Sequence, residues 1–186
     1  MANFTRNGIK ASFMKLLNDR PLSQITVKDI VSDCGINRNT FYYYFEDIPK
    51  LIEDIVVEDA DRIIREFPSI AQIEDCLHAM IEFSLKHKRA VLHIYNSVNR
   101  ALYEQYLWKI CEHTVKTYID TALHGRKISE GDEQVLIQYF GCVLFGAVSG
   151  WLNKGMNEDI QVSFKRICEL QKGTVEEMIR RCEEVT

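Results

Sequence analysis

The chain has 186 residues, of which 46% are apolar and 27% charged, with a formal net charge of −4. This composition excludes a disordered chain and suits one sizeable domain, or a small domain joined to a larger one. The charge is uneven: residues 1–50 carry seven Lys and Arg against five Asp and Glu, so a mildly basic head precedes a body that holds the acidic excess.

The opening MANFTRNGIK lacks the apolar core of a secretory signal. The most apolar run, Tyr139 to Leu152, is too short for a bilayer and is interrupted by Gly141, Gly146 and Gly150. A cytoplasmic protein is expected. Cys34, Cys76, Cys111, Cys142, Cys168 and Cys182 are scattered without a CxxC pair and read as reduced, mostly buried small hydrophobes.

Helical periodicity dominates. Ile9, Phe13, Leu16 and Leu17 recur at i, i+4, i+7 and i+8, which predicts a helix over about residues 5–18. NDRPLSQ breaks it. Thr26 stands as an N-cap with Asp29 three residues on, a capping-box pattern, and Val27, Ile30 and Val31 supply the apolar stripe of a second helix. Gly35 ends it, and Asn37 caps a third helix that runs to about Tyr44. Asp47 begins the next, with Pro49 in its first turn, and its apolar face continues to Phe67 before Pro68. Further helices are expected near residues 70–87, 88–97, 100–123, 132–155 and 160–184, punctuated by Gly125, Gly131 and Asn157. The fold class is all-α with about nine helices.

The third helix carries the unusual chemistry. At 100° per residue, Phe41 and Phe45 share one face, Asn39 and Tyr43 lie opposite, Arg38 and Tyr42 flank one edge, and Thr40 and Tyr44 the other. A single Tyr in such a place is best read as covering a helix seam. Three in succession span too wide an arc for one seam. Two helices joined by a tight glycine turn can instead lay the second into a DNA major groove. Asn pairs bidentately with adenine and Arg with guanine, while Thr and Tyr reach phosphates or thymine methyl groups.

The segment ITVKDIVSDCGINRNTFYYYFEDIPKLI, Ile25 to Ile52, resembles the TetR family of transcriptional regulators. FGAVSGWLNKGM, Phe145 to Met156, is similar to the penultimate helix of a subgroup that includes a dihydroxyacetone-kinase operon activator. The resemblance implies an N-terminal three-helix helix-turn-helix DNA-binding domain over residues 1–47, and a helical effector-binding and dimerisation domain over residues 48–186. It implies double-stranded DNA as partner, with Thr26, Lys28, Arg38, Thr40, Tyr42 and Tyr44 at or beside the backbone and Asn39 and Tyr43 nearest the bases. Relatives often place Lys just after the Asp that opens the fourth helix. Ile48 stands there instead, so the phosphate contact carries over only to Lys50, which also reads as a solvated lysine.

The family's homodimer is a four-helix bundle of the last two helices and their symmetry mates. Here it would use Val143, Gly146, Ala147, Gly150, Trp151, Ile167 and Met178. The alternative is that the apolar helix is the centre of a monomeric body. The middle-helix aromatic residues, including Tyr95, Tyr103, Tyr106 and Phe140, read either as core or as walls of an effector pocket. The expected function is a ligand-responsive repressor on a palindromic operator; a body that binds a protein co-regulator, in an activator, is the other reading. Cys76/His78 and Cys111/His113 are too few for a zinc site, which needs about four ligands. No phosphate loop, nucleophile elbow or HExxH occurs, so neither an enzyme nor a cofactor is expected. Glu176–Glu177 and Glu183–Glu184 read as solvated surface, and Cys34 has only Lys28 nearby to lower its pKa.

Overall fold

The computed structural model describes residues 2–157 and 159–183, and their regular structure is helical throughout. The order is α1 (Ala2–Asp19), α2 (Val27–Cys34), α3 (Arg38–Tyr44), α4 (Ile48–Glu66), α5 (Ile73–Lys86), α6 (Lys88–Tyr95), α7 (Arg100–Leu123), α8 (Glu130–Asn153), α9 (Ile160–Leu170) and α10 (Thr174–Glu183), with short 3-10 turns at Leu22–Gln24 and Ile70–Gln72.

Local chemistry accounts for the helix boundaries in the head. The Asp29 N–H donates to the Thr26 hydroxyl, while the Asp29 carboxylate accepts from the Thr26 N–H at 2.9 Å, which completes the capping box of α2. Gly35 closes α2 at φ 70°, a left-handed position that suits glycine. Asn37 Oδ1 accepts from the Thr40 N–H at 2.8 Å and opens α3. At Phe45 the backbone turns extended, with φ −139° and ψ 128°. Asp47 Oδ1 then accepts from the Lys50 N–H at 2.7 Å and starts α4.

Three expectations change toward the C-terminus. Gly131 does not break the chain; it lies in the first turn of α8, whose N-cap is Ser129. The expected helix over 160–184 is two helices, because the chain turns at Gly173 with φ +80° between α9 and α10. Ten α-helices therefore replace the expected nine among the described residues. Of the six cysteines, only Cys76 and Cys111 are buried; Cys142 is exposed, and Cys34, Cys168 and Cys182 are half-buried.

The chain forms two compact units. The first comprises Met1–Asp59 and Lys86–Tyr106, and the second Ala60–Leu85 and Leu107–Thr186. In the first, Ile9, Phe13 and Leu17 of α1, Ile30 and Val31 of α2, Phe41, Phe45, and Leu51, Ile52 and Ile55 of α4 make one apolar cluster, joined by Ala90, Tyr103 and Tyr106. Full burial of a side chain such as Phe41 contributes about 1.5–3 kcal/mol. Arg6 and Lys10 of α1 meet Asp54 and Glu58 of α4, with Lys10 Nζ 2.7 Å from Asp54 Oδ2. α6 packs against α1, and His93 Nδ1 lies 2.8 Å from the Leu17 carbonyl oxygen.

In the second unit, Val115, Ile119, Ala122, Leu136, Ile137 and Ile179 form one cluster, and Ile63, Ile64, Cys76 and Tyr118 another. The Tyr118 hydroxyl donates to the Phe67 carbonyl at 2.7 Å, so the buried phenol keeps a partner. The acid pairs are more than solvated surface. Arg126 donates to both carboxylate oxygens of Glu183, at 2.8 and 2.6 Å, and Glu177 accepts from Arg180 and Arg181, which hold its carboxyl down at about 2. Glu184 lies outside the described residues. α8 has 24 residues and by length and composition alone is long and apolar enough to cross a membrane. The core helix of a soluble body passes the same test, and Leu136, Ile137, Gly141, Trp151 and Leu152 of α8 are buried in the unit.

Candidate nucleic-acid interface

The face of α3 is sorted by what Phe41 does. Phe41 is fully buried and Phe45 nearly so, although Phe45 lies just beyond the helix. With that side pinned, Arg38 and Asn39 are exposed, Tyr43 is 80% exposed and Tyr42 55%. Tyr44 departs from its neighbours: it is half-buried and packs against the head cluster, with its ring 5.0 Å from that of Tyr43. Thr40 is also half-buried, and its hydroxyl donates to Asn37 Oδ1 at 3.1 Å. The three tyrosines thus divide into one fully outward ring, one at an edge and one leaning into the core.

The ion pairs sort the seven head cations. Arg6 and Lys10 are bound to α4 acids; Lys15 Nζ lies 2.6 Å from Asp33, Arg20 Nη2 3.3 Å from Asp29, and Lys50 Nζ 2.6 Å from Glu53. Among the described residues Lys28 and Arg38 have no acidic partner. Lys28 is in the first turn of α2, and Arg38 is the first residue of α3. The cations left open to an external anion are therefore at the starts of the two helices joined by Gly35. Thr26 and Lys50 are less available than the sequence suggests, because the Thr26 hydroxyl donates to Asp29 Oδ2 at 2.6 Å and Lys50 is ion-paired. Hydrogen bonds from the Thr26 hydroxyl and N–H hold the Asp29 carboxyl below its usual range, and Lys15 does the same for Asp33. Lys15–Asp33 and Arg20–Asp29 were not singled out in the sequence, since no local pattern links α1 to α2 across that spacing.

A second surface runs along α8. Val135, Tyr139, Cys142, Val143 and Gly146 are exposed, and Ala147 and Gly150 are half-exposed. A Cβ placed at Gly146 or Gly150 would meet no atom within 4 Å, so both backbones are open to approach. Gly141 differs, as its Cβ would lie 3.4 Å from the Trp108 ring. Trp151 is turned into the unit's own interior at 5% exposure, and Met178 packs against the cluster around Ile179. The indole and the thioether are therefore held by their own chain. Ile167, Val162 and Leu170 are exposed on α9.

The aromatic residues grouped from sequence as pocket walls do not gather in one cluster. Tyr103 and Tyr106 belong to the core of the first unit, where Tyr95 is also buried, whereas Phe140 packs in the second unit beside the cluster of Leu136 and Ile179. Burial pushes the Tyr103 hydroxyl up to about 12. Arg100 donates to the Tyr95 hydroxyl at 2.8 Å. Of the two Cys-x-His pairs, His113 Nε2 lies 2.9 Å from Asp61 Oδ1 and His78 Nε2 3.9 Å from Glu82 Oε1.

Comparison with known proteins gives the family of the chain. Residues 11–55 match the profile of bacterial regulatory proteins of the tetR family, and residues 71–173, more than half the chain, match a profile described as a transcriptional regulator C-terminal region in the same family. The HTH-type transcriptional regulator EthR of Mycobacterium tuberculosis is 42% identical over 60 residues, which is 31% of this chain and 28% of that protein. The uncharacterized HTH-type transcriptional regulator YxbF of Bacillus subtilis is 28% identical over 85 residues, 46% of this chain and 21% of the relative. The matched stretches thus span under a third of those curated relatives. Among solved structures, the dihydroxyacetone kinase operon activator DhaS superposes with a TM-score of 0.71 at 17% identity, over 92% of this chain and 96% of that one. A TetR transcriptional regulator from Rhodococcus sp. RHA1 gives 0.61 at 17% identity, over 89% and 96%. A helix-turn-helix head with an outward polar α3 and a family profile over most of the body lead to one assignment: the chain belongs to the TetR family of DNA-binding transcriptional regulators.

Proposed function

We propose that the protein is a homodimeric, effector-responsive repressor that reads a palindromic operator through α3. Residues 1–47 are the three-helix DNA-binding domain, and residues 48–186 bind the effector and dimerise. One observation carries this reading: five of the seven head cations are neutralised within the fold, while Lys28 and Arg38 stay open beside Asn39, Tyr42 and Tyr43. Asn39 and Tyr43 face the base edges, and the Asn39 amide has the donor and acceptor that adenine requires. Lys28, Arg38 and the Tyr42 hydroxyl hold phosphates and set the register. Thr26, Thr40 and Tyr44 border the contact, and Lys50 reaches a phosphate only by leaving Glu53.

The open stripe of α8, with Ile167 of α9, is the proposed dimer face, because it combines exposed apolar side chains with two glycines that admit a second backbone. The effector is assigned to the aromatic group Tyr95, Tyr103 and Tyr106. A second reading gives part of the α8–α9 face to a protein co-regulator; Val162 and Leu170, both 65% exposed, favour it. We assign the protein no catalytic activity and a cytoplasmic location. The test is selection of bound duplexes from random sequence, together with sedimentation of the protein alone. Recovery of two inverted half-sites by a dimer supports the proposal. A single unrepeated site bound by a monomer contradicts it.

A further inference from the structure

Helix α2 carries two acids one turn apart, Asp29 and Asp33, and helix electrostatics treats them oppositely. Asp29 is in the first turn, where the dipole favours a carboxylate, and it completes the cap with Thr26. Asp33 is in the last turn, where the dipole is negative, and no basic residue of α2 stands in that turn. Nothing local to α2 accounts for a carboxylate there.

The partners of Asp33 come from α1 instead. Lys15 Nζ donates to Asp33 Oδ1 at 2.6 Å, and the Ser12 hydroxyl donates to the same carboxylate. Ser12 is 7% exposed, and it and Thr114 are the buried polar side chains among the described residues. Thr114 bonds back to the Ile110 carbonyl of its own helix at 2.8 Å, whereas Ser12 reaches a neighbouring helix. Next to Ser12, Phe13 is fully buried in the cluster that holds Ile30 and Val31 of α2. A polar bond is thus set beside the apolar seam of the two helices.

This bond bears on α3 through the chain. Asp33 stands two residues before Gly35, and Arg38 and Asn39 open α3. Helix α1 is also tied to α4, which follows α3, by Arg6 and Lys10 with Asp54 and Glu58. The elements on both sides of the reading helix are therefore held by α1. Taking α3 as the reading helix, as proposed above, we propose that Asp33 is a positioning residue for base reading: held by Ser12 and Lys15, it fixes the end of α2 and with it the angle at which α3 enters the groove. Without this hold the turn at Gly35 admits other orientations, only the aligned fraction reads bases, and specific affinity falls by that fraction. Phosphate attraction, which sets non-specific affinity, does not need the alignment.

The experiment measures the affinity of the full chain for a duplex recovered by selection and for a scrambled duplex of equal length. One salt concentration is used, at a temperature where the variants keep their helical circular dichroism. Asp33→Asn removes a negative charge from the head and Lys15→Gln a positive one, so their electrostatic effects on scrambled DNA are opposite in sign. Both are expected to lower the ratio of selected to scrambled affinity by about five- to tenfold, since each breaks the charged bond. Lys15→Arg, which keeps that bond, is expected to hold the ratio of the unaltered protein. An unchanged ratio in folded Asp33→Asn and Lys15→Gln, ratios that follow net charge in opposite directions, or a Lys15→Arg ratio as low as that of Lys15→Gln overturns the proposal. If Asp33→Asn does not fold, Lys15→Gln, altered at a side chain that is 65% exposed, decides alone. If the unaltered protein does not separate selected from scrambled DNA, the α3 reading falls and takes this one with it. If it does separate them and the variants match it, only the role of Asp33 falls.

Discussion

His93 of α6 reaches the Leu17 carbonyl of α1 at 2.8 Å, across 76 positions of chain. Leu17 is in the last turn of α1, whose final carbonyls have no partner within the helix, so the imidazole satisfies an acceptor that α1 cannot. Through this bond and the burial of Ala90, a segment late in the sequence becomes part of the head. His93→Ala is expected to destabilise the protein by about 1 kcal/mol through the lost hydrogen bond, with further loss from packing. Urea unfolding checks it; an unchanged midpoint would remove the bond from the account.

Phe41 holds α3 in place. Phe41→Ala is expected to cost about 3–5 kcal/mol, because a fully buried ring leaves a cavity among Ile9, Phe13 and Leu51. The measurement is the unfolding transition together with DNA binding, both of which are expected to fail. Tyr43→Ala, at 80% exposure, is expected to change stability by less than about 0.5 kcal/mol.

Acid sensitivity of the head follows from Asp29 and Asp33. Both carboxyls are held below the usual 3.8, Asp29 chiefly by Thr26 and Asp33 chiefly by Lys15. A depressed carboxyl contributes stability above its unfolded value, and that stability is lost as pH falls from there through the folded value. Thermal unfolding between about pH 6 and pH 2.5 is expected to show the head weakening below about pH 4, and Thr26→Val to show a shallower acid dependence. Thr26→Val also removes the α2 cap, so its stability at neutral pH is expected to drop by about 1 kcal/mol. An acid profile identical to that of the unaltered protein would contradict the assigned role of Thr26.

The proposed dimer face makes opposite predictions for two neighbouring residues. Gly146 has free space around it, so Gly146→Arg is expected to fold normally and sediment as a monomer. Trp151 is buried in its own unit, so Trp151→Ala is expected to lose about 3–5 kcal/mol of stability. A dimeric Gly146→Arg protein would remove the α8 stripe as the interface.

What was legible in the sequence was local. The Thr26–Asp29 box, the left-handed Gly35, the Asn37 cap and the Phe41 anchor each depend on residues within a few positions, and the structure has all of them. The family resemblance over Ile25 to Ile52 is borne out by the matching profiles. The partners of Lys10, Lys15 and Arg20 were hidden, since opposite charges far apart in sequence carry no periodic signal. The membership of residues 86–106 in the head unit was hidden for the same reason. The break at Gly173 was visible as a glycine, yet continuing helical periodicity on both sides masked it. Trp151 and Gly146 looked alike on an apolar helix, and only the packing of α8 separates the buried side from the open one.

The central claim is that the outward face of α3 reads base pairs while its edges hold the backbone. The most direct measurement is the affinity of Asn39→Ala, Tyr43→Ala and Tyr42→Phe for the selected duplex and for every single-base variant of it at one salt concentration. Asn39→Ala and Tyr43→Ala are expected to lose discrimination at one or two positions by about 1–3 kcal/mol, and Tyr42→Phe to weaken all duplexes alike by about 1 kcal/mol. Base preference that survives in Asn39→Ala and Tyr43→Ala but shifts in Tyr42→Phe would contradict the account and place a different face of α3 in the groove.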